Sequence, residues 1–240
     1  MKKYFWKSTF IIVSLGVMAG IAEADTYTFT DTWTNWPNYT TGYAYDQLGT
    51  PDVDNLFVTV ENGILKKIEV EVTTRQQYDV LFINTSYANI SNPSWDDWDY
   101  LIYSGLENNR HSANVSPQVP SVDGIYSVNK TSYTYTTAFD GWSGSTYYDV
   151  RQGNPNGIYS SDLTLQNAPL YTISYSNNKL TYLFTSGIKL NGGFFVAYSE
   201  WCANDVTGGG AEVPVPEPGT MLLFGTGLAG LAAVSRRRRN

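Results

Sequence analysis

Short apolar runs joined by turn residues set the strongest limit on how this chain can fold. Leu56–Val60 is one such run, Asn62 and Gly63 follow it as a turn signal, and residues 64–72 return with mostly alternating polarity. An Asn-Gly pair between two runs of this kind is a strong hairpin signal. The pattern therefore predicts an antiparallel β-hairpin at this point of the chain.

The same pattern recurs along the rest of the chain. Asn177 and Asn178 separate another pair of short runs, which predicts a second hairpin. Val80–Ile83 and Gly193–Tyr198 are apolar throughout and predict core strands. Many short strands joined by Gly, Pro and Asn turns are typical of two packed sheets. The expected fold class is all-β, an antiparallel two-sheet sandwich of jelly-roll form over residues 25–206.

The N-terminal residues are typical of a secretory signal peptide. Three lysines precede and flank the start of an apolar stretch from Phe10 to Ile21, and Ala22-Glu23-Ala24 is a small-x-small cleavage site. The apolar stretch is about a dozen residues, whereas a spanning helix needs roughly 20. We therefore expect residues 1–24 to be a signal peptide that is removed on export. An uncleaved membrane anchor is the alternative.

The C-terminal tail combines three elements in order. Glycines and prolines predict a flexible linker over residues 207–214. Residues 221–234 then carry no charge, and as a helix they would rise about 21 Å, which is short of a hydrocarbon core of about 30 Å. The chain closes on a basic cluster, which consists of Arg236, Arg237, Arg238 and Arg239. By the positive-inside rule this cluster anchors a short transmembrane helix with the body outside.

Residues 215–240 resemble the PEP-CTERM sorting signal of Gram-negative bacteria. The resemblance rests on Pro216, Glu217 and Pro218, on the glycine-bearing apolar segment and on the terminal arginines, in that order. It implies recognition of the Pro-Glu-Pro residues by an exosortase, a membrane enzyme that cuts at or near them. It also implies an inner-membrane anchor before processing and then a place at the cell surface or in an exopolysaccharide biofilm matrix.

Charge and cysteine content exclude some classes of function. Outside the two ends, eight basic and twenty acidic residues leave the body near −12. Such a body has no basic patch to neutralise phosphates, so nucleic acid is not an expected partner. The single cysteine, Cys202, cannot form an internal disulfide. We expect it to be a small buried residue, with intermolecular pairing or modification as the alternatives.

A second resemblance covers Phe194–Gly208. Some PEP-CTERM proteins carry a similar block just before the tail, in which an aromatic strand leads into Glu-Cys or Glu-x-Cys, then Asn-Asp and a glycine. The residue inserted between Glu200 and Cys202 departs from the Glu-Cys form. We interpret Cys202, Asn204 and Asp205 as a strand-end cap.

Enzymatic motifs are absent from the sequence. The one histidine, His111, lies in a polar stretch, and there is no Gly-x-Ser-x-Gly elbow, His-Glu-x-x-His or Cys-x-x-Cys. We therefore expect a protein that is not an enzyme. Paired carboxylates leave one alternative, a secreted polysaccharide-acting hydrolase with Asp52, Asp54 and Asp79 among its candidate acids.

The densest local cluster spans residues 95–100, WDDWDY. On a strand its carboxylates at 97 and 99 would share one face and its rings at 98 and 100 the other, which is typical of a buried aromatic face. Two other interpretations stay open. Acidic oxygens this dense suit a hard cation such as calcium, although the spacing is not that of an EF-hand; the candidate ligands are Asp96, Asp97 and Asp99. A sugar ring could stack on an exposed indole; the candidate platforms are Trp95 and Trp98.

These patterns together predict an exported, non-enzymatic surface or biofilm-matrix protein that is sorted through its C-terminal motif. Its body is expected to be an interaction module with extracellular polysaccharide as the candidate partner. That last step rests on the family resemblance. The secreted hydrolase is the alternative function.

Overall fold

The computed structural model describes residues 24–33, 35–39, 52–75, 78–87, 95–104, 119–138, 141–143, 146–148, 153–213, 225–228, 230 and 235. Several predicted features lie outside these residues. They are the signal peptide up to residue 23, His111, the sorting residues Pro216, Glu217 and Pro218, and the arginine cluster.

The described body is built almost wholly from β-strands, and one 3-10 turn, Ser160–Asp162, interrupts them. The strand bounds are β1 Ala24–Thr30, β2 Val53–Glu61, β3 Ile64–Val72, β4 Asp79–Asn84, β5 Tyr100–Ser104, β6 Gly124–Val128, β7 Tyr135–Thr137, β8 Gly141–Ser143, β9 Thr146–Tyr148, β10 Pro155–Ile158, β11 Leu163–Leu165, β12 Tyr171–Ser176, β13 Lys179–Lys189, β14 Gly193–Glu200 and β15 Val206–Glu212.

These strands form two large antiparallel sheets. The five-stranded sheet has the order β1-β2-β3-β13-β12, and the six-stranded sheet has the order β11-β6-β5-β4-β14-β15. Two short ribbons, β10-β7 and β8-β9, complete the described strands. The prediction of an all-β antiparallel sandwich is confirmed. A jelly roll contains two Greek keys, and only β14-β4-β5-β6 has that order among the described strands, so the jelly-roll form stays a prediction.

Both predicted hairpins are formed, and their turns have a common backbone geometry. Asn62 and Gly63, between β2 and β3, have φ values of 52° and 73°. Asn177 and Asn178, between β12 and β13, have values of 53° and 57°. Left-handed values at both central positions fit the twist of the flanking strands, and asparagine and glycine adopt them at least cost.

The main core lies between the two sheets. Alternate residues of β2 and β3 point inward, among them Leu56, Val58 and Ile68, each fully buried. The six-stranded sheet contributes side chains such as Ile83 and Val196 from its facing side. This alternation of buried and more exposed positions is what the polarity pattern of β2 and β3 predicts.

A second core covers the other face of the six-stranded sheet. Phe82 from β4 and Phe195 from β14 point to this side, where they meet rings from the connecting segments. Trp36 lies at the centre of these rings, 4.8 Å from Phe82 and edge-on to it. Because β4 and β14 are covered on both faces, every one of their residues is buried. That explains why their sequences are apolar without alternation.

The glycine run before the tail lies inside a strand. Residues 206–212 are β15, which pairs along its length with β14 at the edge of the six-stranded sheet. A Cβ on Gly209 would stand 2.2 Å from the ring of Phe29, and one on Gly208 would stand 2.8 Å from Trp95. The predicted flexible linker over 207–214 is therefore wrong for residues 207–212. Glycine is needed there because aromatic rings lie against the backbone.

Two buried tyrosines and one partly buried tyrosine make the stability of the body depend on pH. Burial raises the pKa of Tyr182 and of Tyr198 well above the ordinary value of 10, and the charge of Asp79 raises both further. Burial likewise raises the pKa of Tyr135. The folded state thus holds these three protons more tightly than the unfolded state. Their contribution to stability is complete below pH 10 and is lost as the pH rises above it.

Above pH 10 we expect the free energy of unfolding to fall by up to about 1.4 kcal/mol per pH unit for each of these tyrosines. Tyrosinate absorbance and near-ultraviolet circular dichroism, followed together above pH 10, measure this. A fraction of the tyrosines should ionise only as the tertiary signal disappears. Ionisation of every tyrosine while the tertiary signal is intact would contradict the expectation.

Within the part of the chain that the structure describes, no helix is long and apolar enough to cross a membrane. The described tail residues 225–228, 230 and 235 are helical.

Candidate functional site

The Trp-Asp cluster forms a turn that leads into β5. Residues 95–99 are outside any strand, and Asp97 has a φ of 57°. The two indoles are buried, with Trp95 3% and Trp98 0% exposed. The alternating strand predicted here is therefore wrong, although the prediction of buried rings is correct.

Tyrosine hydroxyls hold this turn in place. The Trp98 Nε1–H donates to the Tyr135 hydroxyl over 2.7 Å, and that hydroxyl donates to the Trp95 carbonyl over 2.7 Å. The Asp97 N–H donates to the Tyr133 hydroxyl over 3.0 Å. With Trp95 and Trp98 packed into the second core, neither indole offers a face to a sugar ring. The prediction that they form a sugar platform is therefore corrected: these rings stabilise the fold.

The carboxylates of the cluster serve two different purposes. Asp99 Oδ2 accepts hydrogen bonds from the N–H and the hydroxyl of Thr85, at 2.6 and 2.7 Å, just after β4 ends. Lys130 Nζ lies 2.8 Å from Asp99 and 3.5 Å from Asp97. Its ammonium group occupies the place between these carboxylates that a cation would take, while Asp96 points to solvent.

Among the described residues, no group of three or more His, Cys, Asp or Glu side chains is placed to hold a metal ion. The predicted calcium site on Asp96, Asp97 and Asp99 is therefore not formed by these side chains. The physical reason is that Thr85 and Lys130 already satisfy Asp99.

A surface groove at one end of the sandwich brings together residues that the sequence keeps apart. It consists of two pockets of about 260 Å³ each, which share Asp54, and we call it the distal groove. The first pocket is lined by Thr30, Asp31, Asp52, Val53, Asp54, Asn55 and Asp205. The second is lined by Asp54, Glu71, Val72, Thr73, Asn177 and Asn178.

The distal groove is acidic and its walls are fixed by hydrogen bonds. Asp205 Oδ2 accepts from the Val53 N–H over 2.8 Å, and Asp31 Oδ1 accepts from the Trp33 N–H over 3.2 Å. Asp52 and Asp54, in contrast, make no side-chain hydrogen bond or ion pair with another described residue. Their carboxylates are therefore available to a ligand. The sequence pattern Asp-x-Asp pointed to this pair, but not to the other walls of the groove.

The distal groove lies at the end of the sandwich opposite to the C-terminal end of β15. Asp205 lines the groove and immediately precedes β15, which runs seven residues away from it to Glu212. A strand of that length spans roughly 23 Å. The start of β1 at Ala24 pairs with Glu61 and so lies at the far end as well.

The third candidate acid of the hydrolase alternative lies elsewhere. Asp79 is fully buried at the start of β4. Its Oδ2 lies 3.2 Å from Arg75 Nε, and its Oδ1 accepts a hydrogen bond from the Tyr198 hydroxyl over 2.6 Å. These contacts make Asp79 part of the core, so the structure brings together only Asp52 and Asp54 of the three.

The Glu-Trp-Cys block forms the buried turn between β14 and β15. Glu200 Oε1 accepts from the Asp205 N–H over 2.8 Å, and the Ala203 N–H donates to the Glu200 carbonyl over 2.9 Å. Through Asp205 and Val53 the turn is tied to the opposite sheet. This geometry agrees with the interpretation of the block as a strand-end cap.

Cys202 is expected to be unreactive in the folded protein. It is 1% exposed, burial raises the pKa of its thiol well above the ordinary value, and Glu200 raises that pKa further. Since the thiolate is the reactive form, alkylation by iodoacetamide should be at least about a hundredfold slower in the folded than in the unfolded protein. Mass spectrometry of the alkylated chain measures this. A Ser176→Cys variant, exposed on β12, is the matched control; equal labelling at both positions would contradict the expectation.

Comparison with known proteins bears on the tail of the chain. No curated protein and no solved structure matches the chain. The family model for the PEP-CTERM protein-sorting motif matches residues 214–239, which include the Pro-Glu-Pro residues and the arginine cluster. This match confirms the resemblance stated from the sequence. Residues 214–239 are a PEP-CTERM protein-sorting motif, and the motif identifies the chain as one that is exported and sorted through its C-terminus.

Proposed function

We propose that this chain is a non-enzymatic protein of the cell surface or biofilm matrix, delivered there by an exosortase, and that its body is a polysaccharide-binding module. The motif at residues 214–239 is the observation that carries this proposal. On this view Pro216, Glu217 and Pro218 are recognised by the enzyme. The apolar segment holds the precursor in the inner membrane, and the arginines keep the end of the chain in the cytoplasm.

Processing of the tail tests the sorting step. Cells with and without the exosortase are compared, and the C-terminus of the protein is read by mass spectrometry. We expect the tail to be lost only where the enzyme is present, and a Glu217→Ala variant to keep it. Glu69→Ala is the matched control, because Glu69 is a partly exposed carboxylate on β3, outside the motif. A tail that is intact in both strains would refute the sorting step.

The distal groove supports the binding role of the body. Its lining of Asp, Asn and Thr side chains offers acceptors and donors of the kind that bind sugar hydroxyls. Asp54 lies on strand β2 and Asp52 directly precedes it, and both have open carboxylates. The backbone at this point is held by hydrogen bonds from the Asp52 N–H to the Thr73 hydroxyl and from the Val53 N–H to Asp205. The groove also faces away from the end at which the motif leaves the body.

Binding to extracted matrix polysaccharide tests this role. We expect Asp54→Asn to weaken binding by at least about tenfold, the range for loss of a charged hydrogen bond. Asp25→Asn removes the same charge from an exposed residue at the opposite end of the sandwich and should bind like the wild type. Equal affinities for both variants and the wild type would contradict a role for the groove.

The hydrolase alternative has one observation in its favour. Asp52 and Asp54 line the same pocket, together with Asp31 and Asp205, and glycoside hydrolysis uses a pair of carboxylic acids. Release of reducing ends from the extracted polysaccharide separates the two functions. If Asp52→Asn and Asp54→Asn abolish the release of reducing ends but still bind the polysaccharide, the protein is a hydrolase and not a binding module.

A further inference from the structure

The sorting motif begins very close to the folded body. Strand β15 ends at Glu212, and the next residue, Val213, is 5% exposed and packs into the main core. Its N–H donates to the Gly192 carbonyl over 3.1 Å. An extended chain spans at most about 3.6 Å per residue, so Pro216, three residues later, lies within about 11 Å of Val213.

The turns around this exit form a small polar surface, which we call the exit rim. Its exposed members are Asn62, Ser86, Asn191 and Glu212. Backbone hydrogen bonds hold the turns together: the Leu190 N–H donates to the Gly63 carbonyl over 2.9 Å, and the Asn191 N–H donates to the Thr85 carbonyl over 2.8 Å. The exit rim is therefore a fixed part of the sandwich.

We propose that the exit rim is the surface that the exosortase contacts while it processes the motif. This inference rests on the proposed function, in which the enzyme cuts at or near Pro216, Glu217 and Pro218. An active site that closes on a segment within about 11 Å of the body must have the end of the body beside it. The predicted linker would have kept the body at a distance, but β15 takes up that length of chain.

The chemistry of the exit rim fits such a partner. Asn62, Ser86 and Asn191 are short and uncharged, so an approaching protein meets no long side chain and no cation at these three positions. Their amide and hydroxyl groups can hydrogen-bond across an interface. The acidic distal groove lies at the other end of the sandwich.

A double variant of the exit rim, combined with a spacer, tests the proposal in the full chain. Ser86→Arg with Asn191→Arg places two long cations on the exit rim. In cells that contain the exosortase we expect tail removal to slow by about tenfold, the effect of an interface contact worth about 1.4 kcal/mol. Inserting about eight Gly and Ser residues after Val213 adds about 16 Å of root-mean-square reach. The spacer should restore the rate, since the motif can then reach the enzyme without the body.

The control is Ser176→Arg, which adds the same side chain at an exposed position near the distal groove and should be processed like the wild type. The rate of tail removal is also measured for Asn191→Arg alone. Only variants that resist protease as well as the wild type are compared, because these are folded. A wild-type chain that keeps its tail would refute the proposed function itself. Normal processing of the wild type and of the rim variants, or a defect that the spacer does not relieve, would overturn the contact at the exit rim.

Discussion

Gly209→Ala is expected to destabilise the body by about 2–3 kcal/mol, the upper part of the range for overpacking a filled site. The new methyl group would lie 2.2 Å from two atoms of the Phe29 ring, well inside contact distance. The backbone has little freedom to retreat, since Gly209 pairs with Val196 in the middle of β15. On the same strand a Cβ on Gly210 would stand 2.5 Å from the Phe194 carbonyl oxygen and 2.7 Å from the Phe195 ring. Denaturation by urea measures the loss.

A double-mutant cycle with Phe29→Ala separates a steric cause from a general weakness of the strand. Alanine lacks the Cγ and Cδ1 atoms that lie 2.2 Å from the new methyl group, so Gly209→Ala should cost much less in the Phe29→Ala background. Coupling of this kind between residues in contact is typically 0.5–3 kcal/mol. Additive effects of the two substitutions would contradict the packing argument.

Arg75→Met is expected to destabilise the body by about 3–5 kcal/mol, as in other buried ion pairs that lose one partner. Arg75 Nε lies 3.2 Å from Asp79, which is fully buried, so the substitution removes a cation from beside a carboxylate in the core. The Tyr198 hydroxyl would still donate to Asp79 but cannot neutralise it. Urea denaturation near neutral pH measures the cost.

A surface pair provides the matched control for this prediction. Lys67 Nζ lies 2.8 Å from Glu69, and both side chains are partly exposed. Lys67→Met also removes one cation from a short contact, but water can solvate the remaining carboxylate, so the expected cost is below about 1 kcal/mol. Equal costs for the two substitutions would show that burial of Asp79 does not decide the outcome.

The sequence predicts the parts of this fold that local chemistry determines. The hairpin turns at Asn62-Gly63 and Asn177-Asn178 depend on the left-handed backbone of four residues, which neighbours in the chain decide. The central strands β4 and β14 were predictable for a related reason, since a strand covered on both faces must be apolar throughout.

The errors arise where distant residues decide the structure. From the sequence alone, Gly208 and Gly209 predict a linker. The structure shows that the rings of Trp95 and Phe29, which are distant in the chain, pack on them. The sequence also left open a sugar platform at Trp95 and Trp98, because nothing local indicates that Trp36 and Tyr135 cover them. The sequence alone does not distinguish a glycine or an indole in an exposed loop from one that packs against a residue distant in the chain.

The distal groove could not be predicted from local sequence either, because residues distant in the chain form it. Its walls come from the ends of β1, β2 and β3, from the β12–β13 turn and from the turn before β15. Only the fold brings these five segments to one end of the sandwich. The sorting motif is the opposite case, because it consists of consecutive residues and its signature is therefore visible in the sequence.

The position of β14 determines when an exported chain can become a folded one. This strand pairs with β4 on one side and with β15 on the other, so the middle of the six-stranded sheet joins residues 79–84 to residues 193–212. Contacts of such long range form late in folding. A chain that crosses the membrane from its N-terminus must therefore deliver nearly the whole body before the sheet can close. Closure of the sheet therefore depends on the stretch of chain that directly precedes the sorting motif, since β15 ends at Glu212 and the motif begins at residue 214.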